Sequence, residues 1–224
     1  FVTRFLIDHE IRGLVEINGE YRSPDTATEF VDVVFEEPEL HGPEDKSQIP
    51  FLNILSFDIE TPPDGKTLLC LSLYGKIKKD NEIKEITKSW IINRHAVTAD
   101  TVKDEKEMLE KFTQAIQEID PDVIVGWNVI NFDLALLRDK YHQYKLPMAL
   151  GRIPGECKLD IQENYFSDSK ADFPGRQVLD GIYLLKGAFV KLDDYKLNTA
   201  AKHFVGKEKT IVGEDRFLEI HSLY

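Results

Sequence analysis

Apolar and polar positions alternate loosely over residues 1–35, as in Leu14-Val15-Glu16-Ile17 and Phe30-Val31-Asp32-Val33-Val34-Phe35. Turn signals at Asn18-Gly19 and Ser23-Pro24 break these stretches, so the pattern predicts short antiparallel strands, too few to close a core alone. Residues 36–50 set three prolines among acidic and polar residues. That is a linker composition, and a domain boundary is expected there. After Pro50 strands mix with helices. Leu52–Phe57, Leu68–Tyr74 and Ser89–Ile92 read as apolar strands. Residues 105–119 place Met108, Leu109, Phe112, Ile116 and Ile119 on one helical face. Asp104 and Glu107 suggest a capping box at its start, and Asp120-Pro121 ends it. Val123–Trp127 predicts a buried strand and Phe132–Tyr144 a helix. Gln177–Asp180 predicts a strand leading into Ile182–Phe189, and Leu197–Val205 a helix stopped by Gly206. Strands followed by strand–helix crossovers predict an α/β layered sheet.

Composition narrows the class. The chain has 224 residues, 42% of them hydrophobic and 30% charged, which suits a folded, water-exposed protein with a real core. No stretch approaches the roughly 18 apolar residues of a membrane helix, and the start lacks the pattern of a signal peptide. No membrane association is expected. The first residue is not Met, and both ends read as cut from a longer chain. Cys70 and Cys157 are too few for a disulfide framework or a four-ligand zinc site, so a cytoplasmic location is expected. The net charge of -12 argues at first against a nucleic-acid partner. Its distribution weakens that argument. Residues 1–50 hold 4 Lys/Arg against 12 Asp/Glu, and residues 51–224 hold 24 against 28. A few clustered carboxylates awaiting a cation would account for much of the second deficit.

Two segments could carry chemistry. In Phe57-Asp58-Ile59-Glu60-Thr61, strand alternation sends Asp58 and Glu60 to one face. Two such carboxylates repel, and a divalent cation with a preference for oxygen ligands would relieve the repulsion. Acidic residues pointing to solvent at a strand end explain the same pattern. In Gly126-Trp127-Asn128-Val129-Ile130-Asn131-Phe132-Asp133, a strand runs into a turn and a helix. Such turns lie at the carboxyl ends of strands, where open α/β sheets place their sites. Asp133 could hold a cation or simply favour the helix dipole, and Asn128 could be only a cap.

These residues resemble a known family. Asp58-Ile59-Glu60-Thr61 looks like the first exonuclease motif of family B DNA polymerases, and Asn128-x-x-x-Phe132-Asp133 resembles the second, in the right order. Asp120–Asn128, Tyr144–Pro147, Leu150-Gly151-Arg152, Asp180-Gly181-Ile182 and Leu185–Phe189 add to the similarity, which runs from about Leu52 to the end. It implies an RNase H-like exonuclease domain over residues 49–224, with a mixed sheet flanked by helices. A partial β-rich N-terminal polymerase domain and linker would occupy residues 1–48. The implied activity is proofreading 3′→5′ hydrolysis by two Mg²⁺ (or Mn²⁺) ions. Asp58, Glu60 and Asp133 would be catalytic metal ligands. Thr61, Asn128 and Phe132 would hold a single-stranded DNA 3′ end. Lys196, in Tyr195–Ala201, matches a lysine that assists the site, although a solvated lysine at a helix start reads the same way. Implied partners are the rest of the polymerase chain and, through the full-length protein, a sliding clamp.

One departure stands out. The family's third motif, Tyr-x-x-x-Asp, has a single match, Tyr21-Arg22-Ser23-Pro24-Asp25, in the wrong domain and inside a proline turn. The motif and its fourth carboxylate are expected beyond Tyr224, and the fragment alone is expected to be weak or inactive. Asp180 is expected to cap the following helix rather than bind metal. His95, His142 and His221 show no metal spacing, and Trp90 reads as core. A stand-alone nuclease of the same superfamily and a non-catalytic DNA-binding module of the same fold are the alternatives.

Overall fold

The computed structural model describes residues 2–11, 13–43, 50–80, 82–92, 99–162 and 168–207. The chain divides into two units, Phe1–Phe51 and Leu52–Tyr224. The first opens with a helix, α1 (Val2–Asp8), where strands are expected. β1 (Glu16–Asn18) pairs antiparallel with β4 (Glu39–His41), and β2 (Tyr21–Arg22) with β3 (Val34–Phe35). β4 lies within the stretch read as linker. Its pairing partner is more than twenty residues away, and local composition cannot report that. None of the described residues of this unit is fully buried, so its strands close no core of their own.

The second unit is built on a six-stranded sheet. β5 (Ile54–Glu60), β6 (Cys70–Lys79) and β7 (Glu82–Ile92) form an antiparallel meander, and β8 (Asp100–Val102) runs parallel to β7. On the other side β9 (Val123–Gly126) runs parallel to β5, and β12 (Gln177–Asp180) parallel to β9. The order across the sheet is β12-β9-β5-β6-β7-β8. Three antiparallel strands extended by two parallel ones beside the first give the RNase H-like arrangement. A short antiparallel pair, β10 (Lys158–Asp160) and β11 (Lys170–Asp172), stands apart from the sheet. β7 begins seven residues before the expected strand. Its first four residues, Glu82, Ile83, Lys84 and Glu85, are exposed, so backbone pairing with β6 holds them rather than apolar burial.

Helix α2 (Glu105–Ile119) buries the predicted face on the sheet. Phe112 meets Phe57 of β5 with ring centroids 5.2 Å apart. Asp104 caps its start by accepting the Glu107 N–H at 2.8 Å, but the Glu107 carboxylate takes the Lys103 N–H rather than that of Asp104. Asp120 ends it in the left-handed conformation (φ 49°). Helix α3 (Ala135–Gln143) packs on α2, with the Tyr141 hydroxyl 2.6 Å from Thr113 Oγ1. Leu55, Phe57 and Ile59 lie in this core. That burial orients β5 and leaves Asp58 and Glu60 on the opposite face, by strand alternation.

A buried ion pair locks α2 to α3. Glu105 and Lys140 are 7% and 6% exposed, with Lys140 Nζ 2.7 Å from Glu105 Oε1. Glu105 also accepts the Leu68 N–H at 2.7 Å and the Tyr144 hydroxyl at 2.7 Å. Removing one partner of such a pair leaves the other charge buried without compensation. Glu105→Ala should therefore cost about 3–5 kcal/mol, whereas changing both members to apolar residues should cost much less. Chemical denaturation of the single and double variants checks this.

Candidate functional site

The site forms where β9 leaves β5. The two strands pair only from Ile54↔Val123 to Ser56↔Val125. Beyond Ser56 that edge of β5 is open, and Asp133 occupies it, with Oδ1 accepting the Ile59 N–H at 3.2 Å. A hydrogen bond across 74 residues of sequence thus brings the two predicted segments together.

The chain reaches this position through an unusual turn. Gly126 ends β9 against Val129, where an added Cβ would lie 2.6 Å from the Val129 Cβ. Asn128 then takes the left-handed conformation (φ 59°), which Asn tolerates better than most residues. Ile130–Leu134 follows as a π-helical turn, with the Leu134 N–H bonded to the Val129 carbonyl at 2.8 Å. Such turns insert one extra residue into a helix and recur at functional sites. Here the turn buries Ile130, Asp133 and Leu134 and exposes Asn131 and Phe132. The expected helix start at Phe132 is this turn, and α3 begins only at Ala135.

Asp180 fastens the turn. It lies opposite Gly126 in the β9–β12 register and is 3% exposed. Its carboxylate accepts the N–H groups of Asn128 (3.1 Å), Ile130 (3.2 Å) and Ile182 (3.0 Å). The last caps helix α4 (Gly181–Gly187), as expected from the sequence. The other two bonds are invisible there, because they depend on β12 lying beside β9. Trp127 adds a further tie, its Nε1–H donating to the Tyr195 carbonyl at 3.0 Å. Gly181 makes room for it, since an added Cβ would sit 2.7 Å from the Trp127 ring.

The electrostatics single out Asp133. It is 3% exposed. Burial first, and then the negative charge of Asp58, push its carboxyl pKa up to about 7 against the pull of the Ile59 N–H. Asp58 is exposed and Glu60 half-buried at the end of β5, with Thr61 half-buried after it. Phe132 is 42% exposed and therefore not a core residue. Lys196 precedes helix α5 (Leu197–Val205) at the N-cap position without a side-chain capping bond, its side chain 80% exposed and its ammonium 3.4 Å from Asp194. Asp194, not the carboxylates of β5 and the turn, is thus its ionic partner. Tyr21 and Asp25 lie in the first unit. His142 is exposed and Trp90 is 3% exposed, while His95, His221 and Tyr224 fall outside the described residues. Among the described residues no three His, Cys, Asp or Glu side chains are drawn together closely enough to hold an ion as they stand. None of the described helices is long and apolar enough to cross a membrane.

The raised pKa fixes the sign of a pH effect. A free carboxyl titrates near 4. Between about pH 4 and pH 7 the metal-free folded protein retains a proton that the unfolded chain has lost, so stability falls as pH rises through that window. Asp133→Asn should raise stability at about pH 7.5 by a few kcal/mol and leave it near wild type at about pH 4. Denaturation in chelator across that range reads the difference. Asp180→Ala should act in the opposite sense, stranding buried N–H donors at roughly 1–3 kcal/mol each. Amide hydrogen exchange at Asn128 and Ile130 should accelerate in that variant.

Known proteins are similar to this chain in sequence and fold. The family model for the exonuclease domain of DNA polymerase family B matches residues 1–200. DNA polymerase II of Escherichia coli is 34% identical over 174 residues, covering 72% of this chain and 20% of that protein. The DNA polymerase delta catalytic subunit of Dictyostelium discoideum is 29% identical over 239 residues, covering 93% and 21% respectively. The solved family B DNA polymerase of Pyrobaculum calidifontis has a TM-score of 0.59 at 21% identity, over 93% of this chain and 25% of that one. The chain thus spans about a fifth of the length of these two curated relatives. It belongs to the family B DNA polymerases, as their exonuclease domain.

Proposed function

We propose that this domain removes nucleotides from the 3′ end of single-stranded DNA, proofreading for a polymerase of which it is one part. The observation that carries the reading is the buried Asp133 carboxyl held at the open edge of β5 beside Asp58. Its charge is poorly matched by protein donors, and all three candidate ligands are hard oxygen donors, the set that Mg²⁺ and Mn²⁺ take. Asp58, Glu60 and Asp133 would hold the ions, with Asp58 and Glu60 on one face of β5 and Asp133 at its edge. The chemistry that divalent ions held by these residues would supply is activation of a water and neutralisation of the leaving 3′ oxygen.

The chain's own residues do the rest. Ile59 N–H fixes the Asp133 carboxyl, and Asp180 holds the turn, so Asp133 and Phe132 keep their relative placement. Phe132 offers a ring for stacking on a terminal base of any sequence. Thr61, directly after Glu60, and Asn128, five residues before Asp133, offer polar contacts to the strand. Lys196 would have to leave Asp194 to assist, and a contact to a DNA phosphate suits its exposure. The small first unit would belong to the N-terminal part of the polymerase, and a clamp would be met through the whole protein.

The reading is tested in the full-length polymerase. Asp58→Ala should reduce degradation of a single strand by on the order of 10²-fold or more and leave polymerisation unchanged. Normal cleavage by that variant would remove Asp58 from the site. Phe132→Ala should weaken single-strand binding by roughly 1–3 kcal/mol irrespective of sequence, with little loss of stability because the ring is already exposed. A loss of stability with binding intact would make Phe132 a packing residue.

A further inference from the structure

Beyond the turn, the segment from α4 to α5 has, Lys196 aside, a charge and a conformation that the active site does not use. Residues 183–207 carry five lysines (Lys186, Lys191, Lys196, Lys202, Lys207) and two aspartates (Asp193, Asp194), with no Arg or Glu, a balance of +3 in a chain of net charge -12. Such a local excess marks a surface that meets a polyanion. Within it, Phe189 adopts the left-handed conformation (φ 56°) and is 90% exposed. It follows α4 at the position where a helix end favours glycine. The amides of Ala188, Phe189 and Val190 hold it there through bonds to the carbonyls of Leu184, Lys186 and Leu185, each 3.0 Å. A bulky side chain in this conformation costs free energy, and Phe189 recovers little of it by burial. Strain kept together with an exposed aromatic ring is a reason to look for a ligand.

Two residues after Phe189 in the chain, Lys191 begins the lining of a cleft completed by Leu192, Asp193, Thr199, Lys202 and His203. Two lysines and an imidazole there offer donors to a phosphate. The segment is tied to the exonuclease turn at two points. Asn131 Nδ2 donates to the Tyr183 hydroxyl at 2.7 Å, one residue before Phe132. Trp127 Nε1 donates to the Tyr195 carbonyl at 3.0 Å, one residue before Asn128. Helix α4 has seven residues, or roughly 10 Å of rise, so Phe189 stands a few nucleotides from the turn.

We propose that the α4–α5 connection is an outlying contact for single-stranded DNA, in which a base stacks on Phe189 and a phosphate enters the Lys191–Lys202–His203 cleft. The proposal rests on the exonuclease reading and extends it, adding a grip on the strand behind its 3′ terminus. An aromatic platform beside a basic groove is the usual way to hold a single strand without reading its sequence. Lysine excess favours this occupant over another part of the polymerase, which would meet the exposed ring with apolar surface.

The test uses the full-length polymerase in chelator, so that strands are bound but not cut, with single-stranded oligonucleotides of about four and about twelve nucleotides. Phe189→Ala should weaken binding of the long strand by about tenfold and leave the short one unchanged, whereas Phe132→Ala should weaken both. Lys191→Gln with Lys202→Gln should flatten the salt dependence for the long strand only, by about 0.7 in the log–log slope per phosphate lost. Phe189→Gly should raise the melting temperature by relieving the left-handed strain while still losing long-strand affinity. Wild-type affinity for the long strand in Phe189→Ala, with the wild-type enzyme degrading DNA in Mg²⁺, would overturn this proposal and leave the active-site reading standing. A lower melting temperature in Phe189→Ala with unchanged DNA binding would make the ring a packing contact and overturn it as well. A wild-type enzyme that neither binds nor degrades single strands would overturn the exonuclease reading itself.

Discussion

A carboxyl group buried at the open edge of a strand is the constraint on which the site depends. Taking an ionised carboxylate out of water costs several kcal/mol, and a hydrogen bond to a charged group returns about 1.5–3 kcal/mol. Asp180 receives three backbone N–H groups and serves as a fastener. Asp133 receives the Ile59 N–H from across the sheet and faces the charge of Asp58, and its pKa climbs to about 7. The fold supports one aspartate completely and leaves the other short of compensation. On the proposed reading, a cation held at Asp133 would offset this imbalance.

Everything around Asp133 keeps it in place. The β9–β5 register stops at Ser56 and opens the edge. The left-handed Asn128 and the π-helical turn deliver Asp133 inward and Phe132 outward. Burial of Phe57 and Ile59 under α2 turns Asp58 and Glu60 to the other face of β5, and the Glu105–Lys140 pair locks α2 to α3 behind them. Burial and pairing in the core therefore set the positions of the carboxylates at the surface.

Features governed by local periodicity are legible in the sequence. The buried face of α2, the end of α5 at Gly206 and the shared face of Asp58 and Glu60 each depend on neighbours a few residues away. The spacing from Asn128 to Asp133 points to the segment that the structure brings to the edge of β5, but not to its geometry. A π-helical turn differs from an α-helical one by a single hydrogen-bond register, which has no compositional signature. The two extra bonds of Asp180 and the first half of β7 depend on strands pairing at a distance. α1, β4, β8 and the β10–β11 pair escape a sequence reading because short elements carry too few residues for a period to appear. Lys196 is placed by motif alone, and the structure sets its ammonium beside Asp194.

The most direct test of the account is the position of Mn²⁺ in crystals of the polymerase, located by its anomalous scattering. The account predicts a metal peak at the end of β5, within about 2–2.5 Å of oxygen atoms from Asp58 or Glu60 and from Asp133, with the Ile59 N–H still bonded to the Asp133 carboxyl. A metal bound elsewhere, with Asp133 protonated and unligated at neutral pH, would contradict it.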